Sequence, residues 1–156
     1  MNKKEKTMLP LNPWEHQNVM KAFYSKCVEG VCEKHKITRM ELDILLFLAN
    51  NPLFDTASDI VEIRYLSKSQ VSLSIKLLEE KGFLRKEYQK GNHKTVHLFI
   101  CKAANEVVED GKKAQEKFLT ILFQGMGPEE MEAMKRWNEH IWKNINQYMK
   151  EDKEDV

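Results

Sequence analysis

The stretch Tyr65–Ile100, YLSKSQVSLSIKLLEEKGFLRKEYQKGNHKTVHLFI, holds the residue types best suited to reading a polyanion. Hydroxyls, an amide and lysines open it at Ser67, Lys68, Ser69, Gln70 and Ser72. Ser69, Gln70 and Ser72 can donate or accept hydrogen bonds, and a glutamine amide can pair with adenine through two bonds at once. Lys68 and Lys76 add attraction for phosphate, and Leu73 suits contact with a thymine methyl. Each also has a plainer use. Gln70 can serve only a helix cap, and Leu73 can simply pack beside Leu77. Further along, Lys90, His93 and Lys94 lie at or beside a Gly91-Asn92 turn. There they suit phosphate or the minor groove, or no more than a solvated hairpin tip.

Charge is distributed to match. The chain of 156 residues carries a formal net charge of only +1. Between Arg64 and His97, however, eight bases (Arg64, Lys68, Lys76, Lys81, Arg85, Lys86, Lys90, Lys94) face three acids, Glu79, Glu80 and Glu87. From Glu129 to Val156, eight acids face five bases. A local positive field of this kind suits a polyanionic partner, and equally a solvated charged face.

Other chemistries find less support. Cys27, Cys32 and Cys101 are an odd number without zinc-type spacing. Cys27 and Cys32 stand about 140° apart around a helix axis, which disfavours a bond between them. His16, His35, His93, His97 and His140 are scattered, so no metal site is expected. No phosphate loop, nucleophile motif or catalytic carboxylate pair is present, so the protein is not expected to be an enzyme, and no cofactor is expected.

The elements that must position these residues are readable from periodicity. With 42% hydrophobic and 31% charged residues, the composition fits a soluble, helix-rich domain. No run is long enough to span a membrane, and the basic start MNKKEKTMLPLNPW lacks the apolar core of a signal peptide, so a cytoplasmic protein is expected. A first helix is predicted over about 13–36, with Trp14, Met20, Tyr24, Cys27 and Val31 on its apolar side. A second covers about Arg39–Asn50 and ends at NNP. Two short helices follow, opened by Thr56-Ala57-Ser58-Asp59 and Ser67-Lys68-Ser69-Gln70, each predicted to form a reciprocal capping box. Val71, Ile75 and Leu78 give the second of these a buried stripe, and Gly82 stops it. Strands are predicted over Phe83–Tyr88 and Lys94–Ile100 around a tight Gly91-Asn92 turn. Two long helices complete the order. One, about 102–124, carries Val107, Gly111, Ala114, Phe118 and Ile121; the other starts at Pro128 and carries Met131, Met134, Ile141, Ile145 and Tyr148, with Trp137 and Trp142 adjoining. Such stripes exceed what a chain this small buries alone, so a dimer is expected.

A helix pair followed by a basic hairpin is a winged helix-turn-helix. The strings TRMELDILLFLANNP, TASDIVEI, LSKSQVSLSIKLLEEKGFL and HLFICKAANEVV fall in the order and spacing of MarR-type transcriptional regulators. The chain resembles that family over about residues 13–150. It departs from the family's pattern at Asn92-His93-Lys94, where Asp-x-Arg is common in the wing. It departs again at Leu73, where Arg is frequent, and at Cys101 and Ala104, where Thr and Gly are usual.

The resemblance implies a mainly α fold with a small β-hairpin wing. An N-terminal arm would occupy 1–12, a winged helix-turn-helix 38–101, dimerisation helices 13–36 and 102–150, and a charged tail 151–156. It implies a homodimeric regulator, a repressor, binding double-stranded DNA at an inverted repeat. The helix from Lys68 would enter the major groove with Lys68, Ser69, Gln70, Ser72, Leu73 and Lys76, while Lys90, His93 and Lys94 would serve the wing. A small-molecule effector would sit between the dimer helices and the winged domain, where Trp14, Met20, Phe23, Tyr24 and Phe118 are available. Two alternatives remain. One is a winged helix that binds an acidic protein without sequence-specific DNA binding. The other is a redox regulator sensing through Cys27, which is otherwise a small buried hydrophobe.

Overall fold

The computed structural model describes residues 12–154, and the fold divides after Leu119 into two compact units. The N-terminal arm expected over 1–12, apart from Asn12, and the tail residues 155–156 lie outside the described residues.

The first unit opens with α1, Pro13–His35, whose N-cap Asn12 accepts a hydrogen bond from the Glu15 amide while Pro13 occupies the first turn. Lys36 ends α1 in the left-handed conformation (φ 52°). Helix α2, Arg39–Asn50, is capped by Thr38, and α3, Ala57–Arg64, by Thr56. Helix α4, Lys68–Glu80, starts from Ser67. It stops in a Schellman arrangement: Gly82 adopts φ 74°, its amide donates to the Glu79 carbonyl, and the Phe83 amide donates to the Leu78 carbonyl.

Strands β1, Leu84–Tyr88, and β2, Val96–Ile100, pair antiparallel with Leu84 opposite Ile100 and Tyr88 opposite Val96. Both are shorter than their sequence pattern predicts, and the connection is not a tight turn but the loop 89–95. Asn92 explains the difference. Its side-chain carbonyl accepts from the Lys94 and Thr95 amides (3.0 and 3.3 Å), satisfying locally the groups a longer ladder would use. The hairpin is tied back to the start of α3 by a Thr56–His97 bridge and by the Leu98 amide, which donates to the Asp55 carbonyl at 2.7 Å.

Helix α5, Asn105–Leu122, follows a short 3-10 turn at Lys102–Ala104 and crosses from the first unit into the second. The core of the first unit gathers Leu42, Leu45 and Leu46 of α2, Ile60 of α3, Val71, Ile75 and Leu78 of α4, and Leu84, Leu98 and Val107. Alternation places Leu98 inward on β2 while Phe99 faces out. Helix α5 comes so close to α2 that a Cβ on Gly111 would lie 2.8 Å from Leu46 Cδ2. Of the predicted α5 stripe, Val107, Gly111 and Ala114 are buried, Phe118 is half-buried and Ile121 is exposed. On α1, Val28 is buried and Tyr24 and Val31 pack partly against the core, whereas Trp14 and Met20 are exposed.

The second unit consists of the end of α5 and helix α6, Pro128–Glu154, which runs beyond residue 150 into the expected tail. At 100° per residue, Met131, Met134, Trp137, Ile141, Trp142, Ile145, Tyr148 and Met149 share one side of α6. That side is largely uncovered: Trp137 is 65% exposed and Ile145 45%. No described helix is long and apolar enough to cross a membrane.

Candidate nucleic-acid interface

The burial of Val71, Ser74, Ile75 and Leu78 fixes which side of α4 faces the core. Opposite them, Ser69, Ser72, Leu73 and Lys76 share an exposed sector, with Lys68 and Gln70 exposed at the first turn. Lys90, His93 and Lys94 are exposed in the wing loop, where the His93 ring lies 6.2 Å from that of Tyr88.

The capping chemistry differs between the two short helices. At α3 the box closes in both directions: the Thr56 amide donates to Asp59 Oδ2 and the Asp59 amide to Thr56 Oγ1, each at 3.1 Å. At α4 only half forms. The Gln70 amide nitrogen of the backbone donates to Ser67 Oγ at 3.2 Å, but among the described residues the Gln70 side chain makes no return bond. A neutral amide is a weaker acceptor than the Asp59 carboxylate and must order one more rotor, so the reciprocal bond predicted for α4 is lost. The Gln70 side-chain amide is thereby left to solvent.

Ion pairing decides where the positive field lies. Lys81 meets Glu41 at 2.6 Å, Arg85 meets Glu87 at 2.6 Å, Lys86 meets Glu79 at 3.8 Å, and Lys76 reaches Glu80 at 4.0 Å. Among the described residues Arg64, Lys68, Lys90 and Lys94 have no acidic partner. The unneutralised charge therefore sits around the α3–α4 turn and at the tip of the wing. Tyr65, in that turn, is 79% exposed and left-handed (φ 51°), an orientation its residue type does not signal.

A cavity of about 610 Å³ opens among α1, α2 and α5, reaching Arg64 at the end of α3. Met20, Tyr24 and Phe118 line it; Phe23 packs on Phe118 (5.1 Å between centroids), and Trp14 is not part of the lining. Its polar residues were not signalled by apolar spacing. Asn50 donates to Gln115 Oε1 at 3.0 Å, and Gln115 donates to the Tyr24 hydroxyl at 3.1 Å. Arg39 lies over the Tyr24 ring at 4.5 Å and donates to Asp43 and Ser25.

The remaining reactive groups are placed as follows. All three cysteines are free thiols and half-buried. Burial pushes the Cys32 thiol up, against the nearby Arg39 charge, which favours the unreactive protonated form. The histidines, scattered in sequence, include one that the fold brings to carboxylates: His35, Glu106 and Asp110 converge within 4.8 Å. The Lys34 ammonium pairs with both carboxylates, 2.7 Å from Asp110 and 2.9 Å from Glu106. Its hydrogen bond, with that of His35, holds the Asp110 carboxyl below the usual range. The cluster clasps the end of α1 to the start of α5.

Known proteins carry the same fold. The profile of the MarR family matches residues 35–94, which span α2 through the wing loop. A MarR protein from Peptoclostridium difficile shares 17% identity, with 92% of this chain and 94% of that chain covered and a TM-score of 0.76. A MarR-family transcriptional regulator from Silicibacter pomeroyi shares 15% identity over 93% and 97% of the two chains, with a TM-score of 0.75. The S. aureus MepR–DNA complex shares 16% identity over 86% and 96%, with a TM-score of 0.71. Among curated proteins, none matches the sequence. With the MarR profile over residues 35–94 and a fold shared with MarR-family structures over nearly its whole length, the chain is similar to MarR-type winged helix-turn-helix proteins.

Proposed function

We propose that the protein is a homodimeric transcriptional regulator that binds double-stranded DNA sequence-specifically, acting as a repressor. The observation that carries this reading is the coincidence of unpaired cations with exposed hydrogen-bonding side chains. Arg64, Lys68, Lys90 and Lys94 supply attraction to phosphate, while Ser69, Gln70 and Ser72 stand exposed beside them. The fold supports it, being similar to that of the protein in the MepR–DNA complex. In this reading α4 enters the major groove with Lys68, Ser69, Gln70, Ser72, Leu73 and Lys76, and Lys90, His93 and Lys94 flank it from the wing.

Dimer contacts are assigned to the uncovered apolar side of α6 and, separately, to exposed Trp14 on α1, and residues 13–150 act as one functional domain. The cavity beside Arg39 and Arg64 is the proposed effector site. A ligand there contacts α1 and the end of α3 together, so its binding shifts the spacing of the two recognition helices and with it the affinity for DNA.

Gel-shift titration tests the function against two DNA pools, upstream regions of the source genome and random duplex. The expected result is retention of one upstream fragment at concentrations where random duplex runs free. Equal retention of both, or of neither, rejects sequence-specific binding and leaves the protein-docking alternative.

A further inference from the structure

Among the described ion pairs of the Arg64–Lys94 set, that of Lys81 alone has a buried carboxylate, Glu41. Lys81 Nζ meets Glu41 Oε2 at 2.6 Å and also donates to the Lys36 carbonyl at 3.2 Å. These partners belong to different elements. Glu41 lies in the first turn of α2, Lys36 is the left-handed residue that ends α1, and Lys81 itself caps α4. Three chain segments thus meet at one ammonium.

The burial of Glu41 makes the junction stiff. The Glu41 side chain is 1% exposed, and its other oxygen, Oε1, has no partner. Lys81 is therefore the carboxylate's sole counter-charge among the described residues. Moving α4 away would strand a buried charge, which is strongly penalised, whereas a surface pair such as Lys76–Glu80 separates at little cost. The Lys36 carbonyl gains as well, because the last carbonyls of a helix lack partners within it. A lysine at a helix end is favoured by the helix dipole alone, but that would leave its ammonium in water, not on two other elements.

We propose that Lys81 is a strut fixing the C-terminal end of the recognition helix to both α1 and α2, so that Lys81 and Glu41 are positioning residues for DNA reading. The part concerning DNA rests on the proposed function; the mechanical part does not. In a dimer held through its terminal helices, the strut transmits the position of α1 to α4 and so holds the two recognition helices at a set separation. It touches no base, so the preference within a half-site is independent of it.

Two measurements on the full chain test this, using Glu41→Gln, Lys81→Gln and the conservative Lys81→Arg. Hydrogen exchange without DNA should show the last turn of α4 and the Lys36–Ile37 segment exchanging at least tenfold faster together in the two Gln variants. Exchange in α3 should remain unchanged, and Lys81→Arg should stay near wild type. Unchanged rates at those two segments, or one uniform acceleration of every segment, overturns the strut. If Lys81→Gln, which leaves buried Glu41 without its counter-charge, does not fold, Glu41→Gln carries the same comparison, because it removes the buried charge and leaves the Lys81 ammonium on a side chain that is 34% exposed.

With DNA, the Gln variants should bind a two-half-site duplex at least tenfold more weakly than wild type, yet a single half-site within twofold. Equal losses on both duplexes would make the pair merely structural. Absence of DNA binding by the wild type would reject the proposed function, leaving the strut to be judged by exchange alone.

Discussion

In the proposed reading of DNA, Gln70 is the residue whose contact is most directly tested. Its side chain does not close the cap of α4, so the cap can be kept while the amide is changed. Gln70→Ala should cost on the order of 1–3 kcal/mol at one symmetric base position per half-site, the value of a bidentate pair. Gln70→Glu keeps the size but presents only acceptors, which phosphates repel. Selection from randomised half-sites should show preference relaxing with Ala and relaxing or switching with Glu at that one position. Identical enrichment by all three proteins would place specificity elsewhere. Lys90 and Lys94 have a different role, since neither has an acidic partner among the described residues and both stand at the wing tip. Changing both to Ala should weaken binding to all sequences alike and flatten the dependence of log K on log salt, because fewer counterions are released. An unchanged slope would remove the wing from the phosphate contacts. At this scale the sequence was informative for groups whose neighbours are local, such as Ser67 and Thr56. It was silent on Lys81, whose counter-charge Glu41 lies forty positions earlier. It was silent too on Gln115, which meets Tyr24 only through the packing of α5 against α1.

Among the elements, α4 is set by a cap at one end and a glycine at the other. Ser67→Ala removes the acceptor for the Gln70 backbone amide and should destabilise the protein by about 1 kcal/mol, a drop of a few degrees in Tm by calorimetry. No change would mean that water replaces the hydroxyl without loss. The approach of α5 to α2 sets a second limit. Gly111→Leu places side-chain atoms where Leu46 and Leu42 already lie within 2.8–3.2 Å of a Cβ. Overpacking of this kind costs about 1–3 kcal/mol, more than the roughly 1 kcal/mol gained by removing glycine from a helix. Its Tm should fall, and a rise would show that α5 yields easily. The helices were legible because apolar periodicity and capping residues both act within a few positions, as at Ser67, Val71, Ile75 and Leu78 of α4. The hairpin was less so. Gly91-Asn92 reads as a tight turn, yet Asn92 uses its side chain to hold a longer loop, and alternation cannot distinguish the two.

For the whole molecule, the apolar side of α6 and the exposed Trp14 call for a partner surface. Ile141→Glu with Ile145→Glu should convert a dimer into a monomer by light scattering at micromolar concentration, while α2–α4 keep their circular dichroism. A double variant that stays dimeric would move the interface off α6. The excess of apolar stripes was legible in the sequence, but which surfaces stay open depended on tertiary packing. Val28 is buried on α1, for example, while Trp14 on the same helix is not. The central claim, that two copies of this winged helix read DNA together, is tested most directly by selecting bound duplexes from a random pool with the wild-type protein. The account predicts an enriched inverted repeat whose half-site centres lie about one helical turn apart, roughly 34–36 Å. Enrichment of no sequence, or of a single undivided site, would contradict it.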